Sequence, residues 1–117
     1  MPRHLSFDEE ALTIELTGLL RLGALHRRIR VPWTAVRDVR AGATDARRAR
    51  HGRFRRGRRV QFLSFEDPGQ VVRLEIDRSA PGAPPFDDVV VGTPRPGRLA
   101  VEVRRRAAQL SLVARAA

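Results

Sequence analysis

A proline at position 32 stands between two short extended patterns, and that arrangement restricts what this chain can fold into. Before it, Arg28-Ile29-Arg30-Val31 alternates polar and apolar side chains, the period of a strand with one buried face. Pro32 has a fixed φ and no N–H to give to a sheet, so it ends that strand. Trp33-Thr34-Ala35 fits one helical turn, and Val36 to Val39 returns to an extended pattern. Strand, corner and second strand in so short a span indicate a small β-rich fold.

The same alternation recurs on both sides of this unit. Leu5 and Phe7 alternate with polar neighbours, Asp8-Glu9-Glu10 makes a polar turn, and Leu12, Ile14 and Leu16 alternate with Thr13, Glu15 and Thr17. This predicts a hairpin with Leu12, Ile14 and Leu16 facing the core. Gly18 is expected to break the second strand. Leu19, Leu20, Leu22 and Leu25 are too dense for a surface loop and predict a short buried turn or helix. After Val39 the pattern dissolves. Residues 42–58, rich in Gly and Arg, are read as a loop, with room for one helical turn at Asp45 to Arg50. Strands are predicted again at Arg59 to Phe65, with Val60 and Phe62 facing opposite to Leu63 and Phe65, and at Val71 to Asp77. Asp67-Pro68-Gly69 forms the turn between them. Ser79 to Pro85 is a Pro/Gly loop and Asp87 to Gly92 a short strand. Leu99, Val101 and Val103 alternate like a strand, but Leu99, Val103, Ala107, Leu110 and Ala114 fall on one helical stripe, which favours a C-terminal helix with Arg104-Arg105-Arg106 late in it; Thr93 can serve as its N-cap unless Pro96 and Gly97 delay the start.

A chain of 117 residues fits one domain, residues 1–117, with enough surface buried for a single core. There is no Cys, which excludes disulfides and thiolate chemistry. No apolar run approaches the ~20 residues of a membrane span. MPRHLSFDEE lacks the apolar segment of a secretory signal. The expected location is cytoplasmic, with attachment to the inner face of a membrane left open by the charge. All 23 basic residues are Arg; Lys, Asn and Tyr are absent. Codons for those three are AT-rich, so a high-GC bacterial genome accounts for part of the Arg excess. The formal charge of +10 still favours anionic partners.

Seven short strands followed by one helix suggest a partly open antiparallel barrel capped by that helix. Here the chain resembles the small bacterial pleckstrin-homology-like (PH-like) proteins common in actinobacteria. The resemblance is carried by Leu12–Leu16, by Gly23-Ala24-Leu25-His26 running into Ile29-Arg30-Val31-Pro32, by Ala35-Val36 and Val39, by Phe86-Asp87-Asp88-Val89-Val90-Val91, and by the Pro-led helix after Thr93. It implies a PH-like fold and a binding module, without implying a reaction. The chain departs from the family pattern in two places. Arg47–Arg59 stands where relatives carry a Gly/Pro-rich stretch, and Thr93-Pro94-Arg95-Pro96-Gly97 replaces an Asp-Pro-acid helix start. PH-like barrels that bind phosphoinositides usually carry basic residues in the first hairpin. The matching turn here, Asp8-Glu9-Glu10, would repel phosphate.

Arg47, Arg48, Arg50, Arg53, Arg55, Arg56, Arg58 and Arg59 form the candidate anion-binding site, a run without an acid. Each guanidinium is a flat fork suited to phosphate or carboxylate. The alternative is a solvated loop enriched in Arg by coding bias. The expected partner is an acidic protein or an anionic membrane surface, with non-specific nucleic-acid binding as the competing reading. Only Phe54 interleaves with the cluster, thin support for base stacking. Strand edges also leave open a homo-oligomer. His4, His26 and His51 match no metal-ligand spacing, so neither metal nor cofactor is expected. Neither a nucleophile elbow nor a phosphate-cradling glycine motif is present, and the acid pairs Glu9-Glu10, Glu66-Asp67 and Asp87-Asp88 point to opposite faces if extended. The chain is therefore read as non-catalytic, with Trp33 as a core anchor.

Overall fold

Alternation builds the first layer. A computed structural model describes residues 3–20, 23–42, 44 and 50–116, with backbone alone at 18–20, 23–26, 50 and 111–116. Strands β1 (Arg3–Phe7), β2 (Ala11–Leu20) and β3 (Gly23–Pro32) pair antiparallel in that order. Their register sets Leu5 opposite Ile14, Ile14 opposite Ile29, and Leu12 opposite Val31, so the apolar positions share one face. Leu12, Ile14, Leu16, Ile29 and Val31 are all buried there. Asp8 shapes the first turn: its Oδ1 accepts the N–H groups of Glu10 at 2.7 Å and Ala11 at 2.8 Å.

The corner after Pro32 joins the layers. Trp33–Ala35 forms a single 3-10 turn. Trp33 is buried, and its indole N–H donates to the Asp8 carbonyl at 3.0 Å. Its backbone N–H donates to the Glu10 carbonyl at 2.9 Å, so the corner is fastened to the β1–β2 turn.

The second layer contains β4 (Val36–Gly42), β5 (Arg50–Arg56), β6 (Arg59–Phe65), β7 (Val71–Ile76) and β8 (Asp88–Gly92), in the order β4-β7-β8-β6-β5. β6 and β7 are joined by the turn at Asp67-Pro68-Gly69 but do not pair; β8 is inserted between them. The arms of a hairpin run in opposite directions. A strand between them must therefore be parallel to one and antiparallel to the other, as β8 is to β6 and β7. β8 is buried along its whole length, which suits a central strand with Val89, Val90 and Val91 in series. On the inner face Val39, Val60, Phe62, Val72, Leu74, Val89 and Val91 pack with the first layer. On the outer face Leu63, Phe65, Val71 and Val90 make a smaller cluster with Phe54 against it.

Helix α1 (Pro96–Ala116) packs on β4, the Trp33 turn and β7. Leu99, Ala100 and Val103 are buried in the main core, with Ala107 and Leu110 partly buried beside them. An Arg104 Nη2 donates to the Val39 carbonyl at 2.8 Å, satisfying part of the edge of β4. Arg105 and Arg106 bond to Glu102 and hold its carboxyl down to about 2.

The mainly β fold with one C-terminal helix agrees with the sequence reading. Several details differ. There are eight strands among the described residues, and no pairing between the two sheets closes them into a barrel. The expected all-antiparallel order is broken by the β6–β8 pair. Gly18 does not end β2, and the Leu-rich segment forms no helix at its described positions: Gly18 pairs with Leu25, and Leu19 with Ala24. The cost of a strand glycine, about 0.5–1 kcal/mol, is small beside a long cross-strand ladder. Residues 42–58 are not simply a loop, because Gly42 ends β4 and Arg50–Arg56 is a strand. The expected helical turn at Asp45 to Arg50 falls largely outside the described residues. Helix α1 starts at Pro96, the delayed of the two starts the sequence allows, rather than directly after a Thr93 cap. The Leu99 N–H donates to the Arg95 carbonyl at 3.1 Å, and Pro96 takes the first helical position, where a missing N–H costs nothing. Because α1 runs to Ala116, Arg104–Arg106 lies near its middle.

Gly92 has the closest surroundings of the described glycines. A Cβ there would lie 3.0 Å from the Phe65 Cβ and 3.1 Å from the Phe65 Cα. Gly92→Ala should therefore lower the stability by about 1–3 kcal/mol in denaturant unfolding. An unchanged midpoint would show that β6 and β8 have room to spare there.

Candidate anion-binding hairpin

The arginine run is organised by one glycine. β5 and β6 pair from Arg50 opposite Phe65 to Arg56 opposite Arg59, leaving Gly57 and Arg58 as a two-residue turn. Gly57 has φ +61°, and no described non-glycine residue has positive φ. That combination fits a type II′ turn, whose twist matches the flanking strands. The register then puts Arg55 opposite Val60, Arg53 opposite Phe62 and His51 opposite Ser64. Arg53 and Arg55 thus share the face of the main core, whereas Phe54 turns to the other face, against the outer cluster.

The predicted site residues divide into distinct groups. Arg53, Arg55 and Arg58 are exposed, and among the described residues they have no hydrogen-bond or ion-pair partner. Arg56 is also exposed at the tip. Arg59 is already engaged: its Nε and Nη2 donate to the two carboxylate oxygens of Asp88 at 2.9 and 2.8 Å. Arg47 and Arg48 lie outside the described residues, as does the side chain of Arg50.

Asp88 is the main feature the sequence reading missed. Its side chain is fully buried, and it also accepts from the Gln61 Nε2 at 3.2 Å and lies 3.3 Å from an Arg73 Nη2. Burial opposes its ionisation, but the bonds from Arg59 and Gln61 and the charge of Arg73 outweigh that and hold its carboxyl below the ordinary value. The neighbouring Asp87 faces elsewhere and accepts the Val60 N–H at 2.7 Å. Two adjacent acids therefore fix the first residues of β6 to β8, and the base of the hairpin is rigid. A valine run opening with two acids was the available signal: the acid that leads a central strand is carried inside with it.

The opposite end of β6 is fixed by Arg3. Its guanidinium donates to the Gly92 carbonyl at 3.0 Å, the Ser64 Oγ at 3.1 Å and the Glu66 Oε2 at 2.7 Å. Arg3 draws the Glu66 carboxyl below its usual value. The His51 Nδ1 lies 3.0 Å from the Ser64 Oγ, and burial lowers the His51 pKa against the pull of Glu66. His4 is exposed, and the side chain of His26 lies outside the described residues. Among the described residues no group of three or more His, Cys, Asp or Glu is placed to hold a metal ion. Arg27, another residue the sequence reading passed over, lies 5.0 Å above the Phe62 ring and 5.7 Å from the Phe86 ring centre. It is in phase with Ile29 and Val31, so the alternation of β3 already pointed it inward.

Asp88→Asn should cost about 1–3 kcal/mol at neutral pH, the scale of a charged hydrogen bond left unmade. A carboxyl held below its ordinary pKa stabilises the fold above the unfolded value of about 3.9 and loses that contribution as the pH falls through the folded one. The variant should therefore show a shallower loss of stability below about pH 4 than the parent. Equal stability at neutral pH would remove Asp88 as the anchor of the hairpin. No family model matches this chain, and neither curated proteins nor solved structures give a match.

Proposed function

We propose that this chain is a non-catalytic interaction module that holds an acidic protein through the arginines at the tip of the β5–β6 hairpin. The observation that carries this reading is the trio Arg53, Arg55 and Arg58, exposed and without partners among the described residues, on a hairpin anchored by Asp88. Arg3, Arg28, Arg30, Arg59, Arg73 and Arg104 are bonded or ion-paired within the fold, whereas this tip, like Arg95 and Arg98 at the start of α1, offers its charge outward. A planar fork matches a carboxylate in two bonds, and a rigid base lowers the entropy lost on binding.

The fold that goes with this reading is a PH-like module. Two β layers sharing one core and a C-terminal helix packed on them support it. The inserted strand β8 is the feature that departs from it.

Nucleic acid is the weaker reading. Phe54, the aromatic within the arginine run, lies on the opposite face from Arg53 and Arg55 and is half-buried. It is poorly placed to stack bases beside those charges. An anionic membrane would draw on the same charges and is separated by experiment.

The full chain should bind a carboxylate-rich peptide in low salt, with affinity falling as salt rises. Changing Arg53, Arg55 and Arg58 together to Ser should weaken it roughly tenfold or more, as expected for three exposed charge pairs of under about 1 kcal/mol each. Retained affinity in the triple variant would move the site elsewhere. Tighter binding to duplex DNA or anionic vesicles than to the peptide would replace the acidic-protein reading.

A further inference from the structure

We infer that the open edge of β5 accepts an extended acidic segment of a partner protein as an added strand, with acids at alternate positions against Arg53 and Arg55. The inference rests on the acidic-partner reading above and gives it a geometry. Among the described residues β5 is the last strand of its sheet and pairs with β6 alone. Arg56 and Arg59 flank the two-residue turn at Gly57-Arg58 as ladder partners, the place of a hydrogen-bonded pair in a two-residue hairpin. From a closing pair of that kind an antiparallel ladder alternates between bonded and non-bonded pairs. Arg56 and Phe54 therefore direct their main chain to β6, while Arg55 and Arg53 direct theirs to the open edge. Neither Arg53 nor Arg55 makes another hydrogen bond or ion pair among the described residues. The same two residues thus present N–H, C=O and guanidinium groups to one edge.

A strand laid along that edge would place residues about 5.5 Å, Cα to Cα, from Arg53 and from Arg55 in bonded register, with side chains on the same face. Both arginines are two residues apart, so the matching pattern is an acid at every second position. Main-chain pairing would supply affinity and the alternate side chains would supply selectivity.

The charge on this edge argues against a second copy as the occupant. Two β5 edges paired antiparallel would bring Arg53 and Arg55 opposite one another, and like charges directly opposite are unfavourable. Charged edge strands protect against indiscriminate pairing by this means. Two of the other described edges are less available. The exposed arginines of β3 are matched by acids, Arg28 with Glu15 and Arg30 with Glu10, each at 3.1 Å. β4 is covered by α1, with the Val39 carbonyl bonded to Arg104.

The test uses the full chain and three short peptides of equal composition: one alternating Glu and Val, one alternating but N-methylated at the amides that would face β5, and one with its acids in a single block. Amide exchange and chemical shifts are followed by NMR, and affinity by calorimetry. The alternating peptide should bind and should slow exchange at the Arg53 and Arg55 amides. N-methylation should weaken it roughly tenfold or more, the equivalent of about one lost hydrogen bond. The block peptide should bind more weakly than the alternating one. R53S/R55S, whose folding is checked by its spectrum, should lose affinity on the same scale. Equal binding of all three peptides would overturn strand addition and leave the acidic-partner reading standing. Binding to none of them, with duplex DNA or anionic vesicles bound instead, would overturn both. Self-association of the free chain with protection of the same two amides would replace the acidic segment with a second copy.

Discussion

A strand that is apolar on both faces has to lie inside a sheet, and Val89-Val90-Val91 imposes that condition here. Placing β8 between β6 and β7 joins the arms of what would otherwise be a simple hairpin. It also brings Asp88 into the interior at the point where β6 begins. An ionised carboxylate there is costly unless it is paired. Arg59, Arg73 and Gln61 meet that demand from three positions on two neighbouring strands. Among the described residues no buried side-chain polar atom is left without a partner.

The arginines differ in what they do. Arg3 ties β1 to the ends of β6 and β8, Arg104 bonds the edge of β4, and Arg59 with Arg73 neutralises Asp88. Arg27 covers the Phe62 and Phe86 rings, and Arg106 lies 5.1 Å above the Phe7 ring. A long stem and a flat head let one residue type serve as hydrogen-bond donor, counter-ion and ring cover. Coding bias can supply the residue, but the packing decides which copies are used up internally. Arg53, Arg55 and Arg58 are among those whose side chains the fold leaves without a partner among the described residues, as are Arg95 and Arg98 at the start of α1.

Sequence patterns made β1, the first half of β2, the second half of β3, β6, β7 and the helix legible because each has an inner and an outer face. Leu12, Ile14 and Leu16 alternate cleanly, and the helical stripe from Leu99 repeats at the right period. β5 was not legible. In Arg50–Arg56 Phe54 is the large apolar side chain, and an alternation that puts arginine on the exposed positions of both faces leaves little periodicity to detect. Its strand conformation comes from pairing with β6, whose sequence is strongly strand-like. For the same reason the candidate site was half visible. Its composition was plain, yet the division between Arg59, held by Asp88, and Arg53, turned outward, depends on register.

The sequence by itself determined the β-rich class, the corner at Pro32, the C-terminal helix and a strong positive charge, because each follows from local geometry or from counting. Only the tertiary structure decided that β8 lies between β6 and β7, that Asp88 is buried, and which arginines remain exposed. Those outcomes turn on which strands become neighbours, and neighbours distant in the chain are selected by the fit of whole faces rather than by any local pattern.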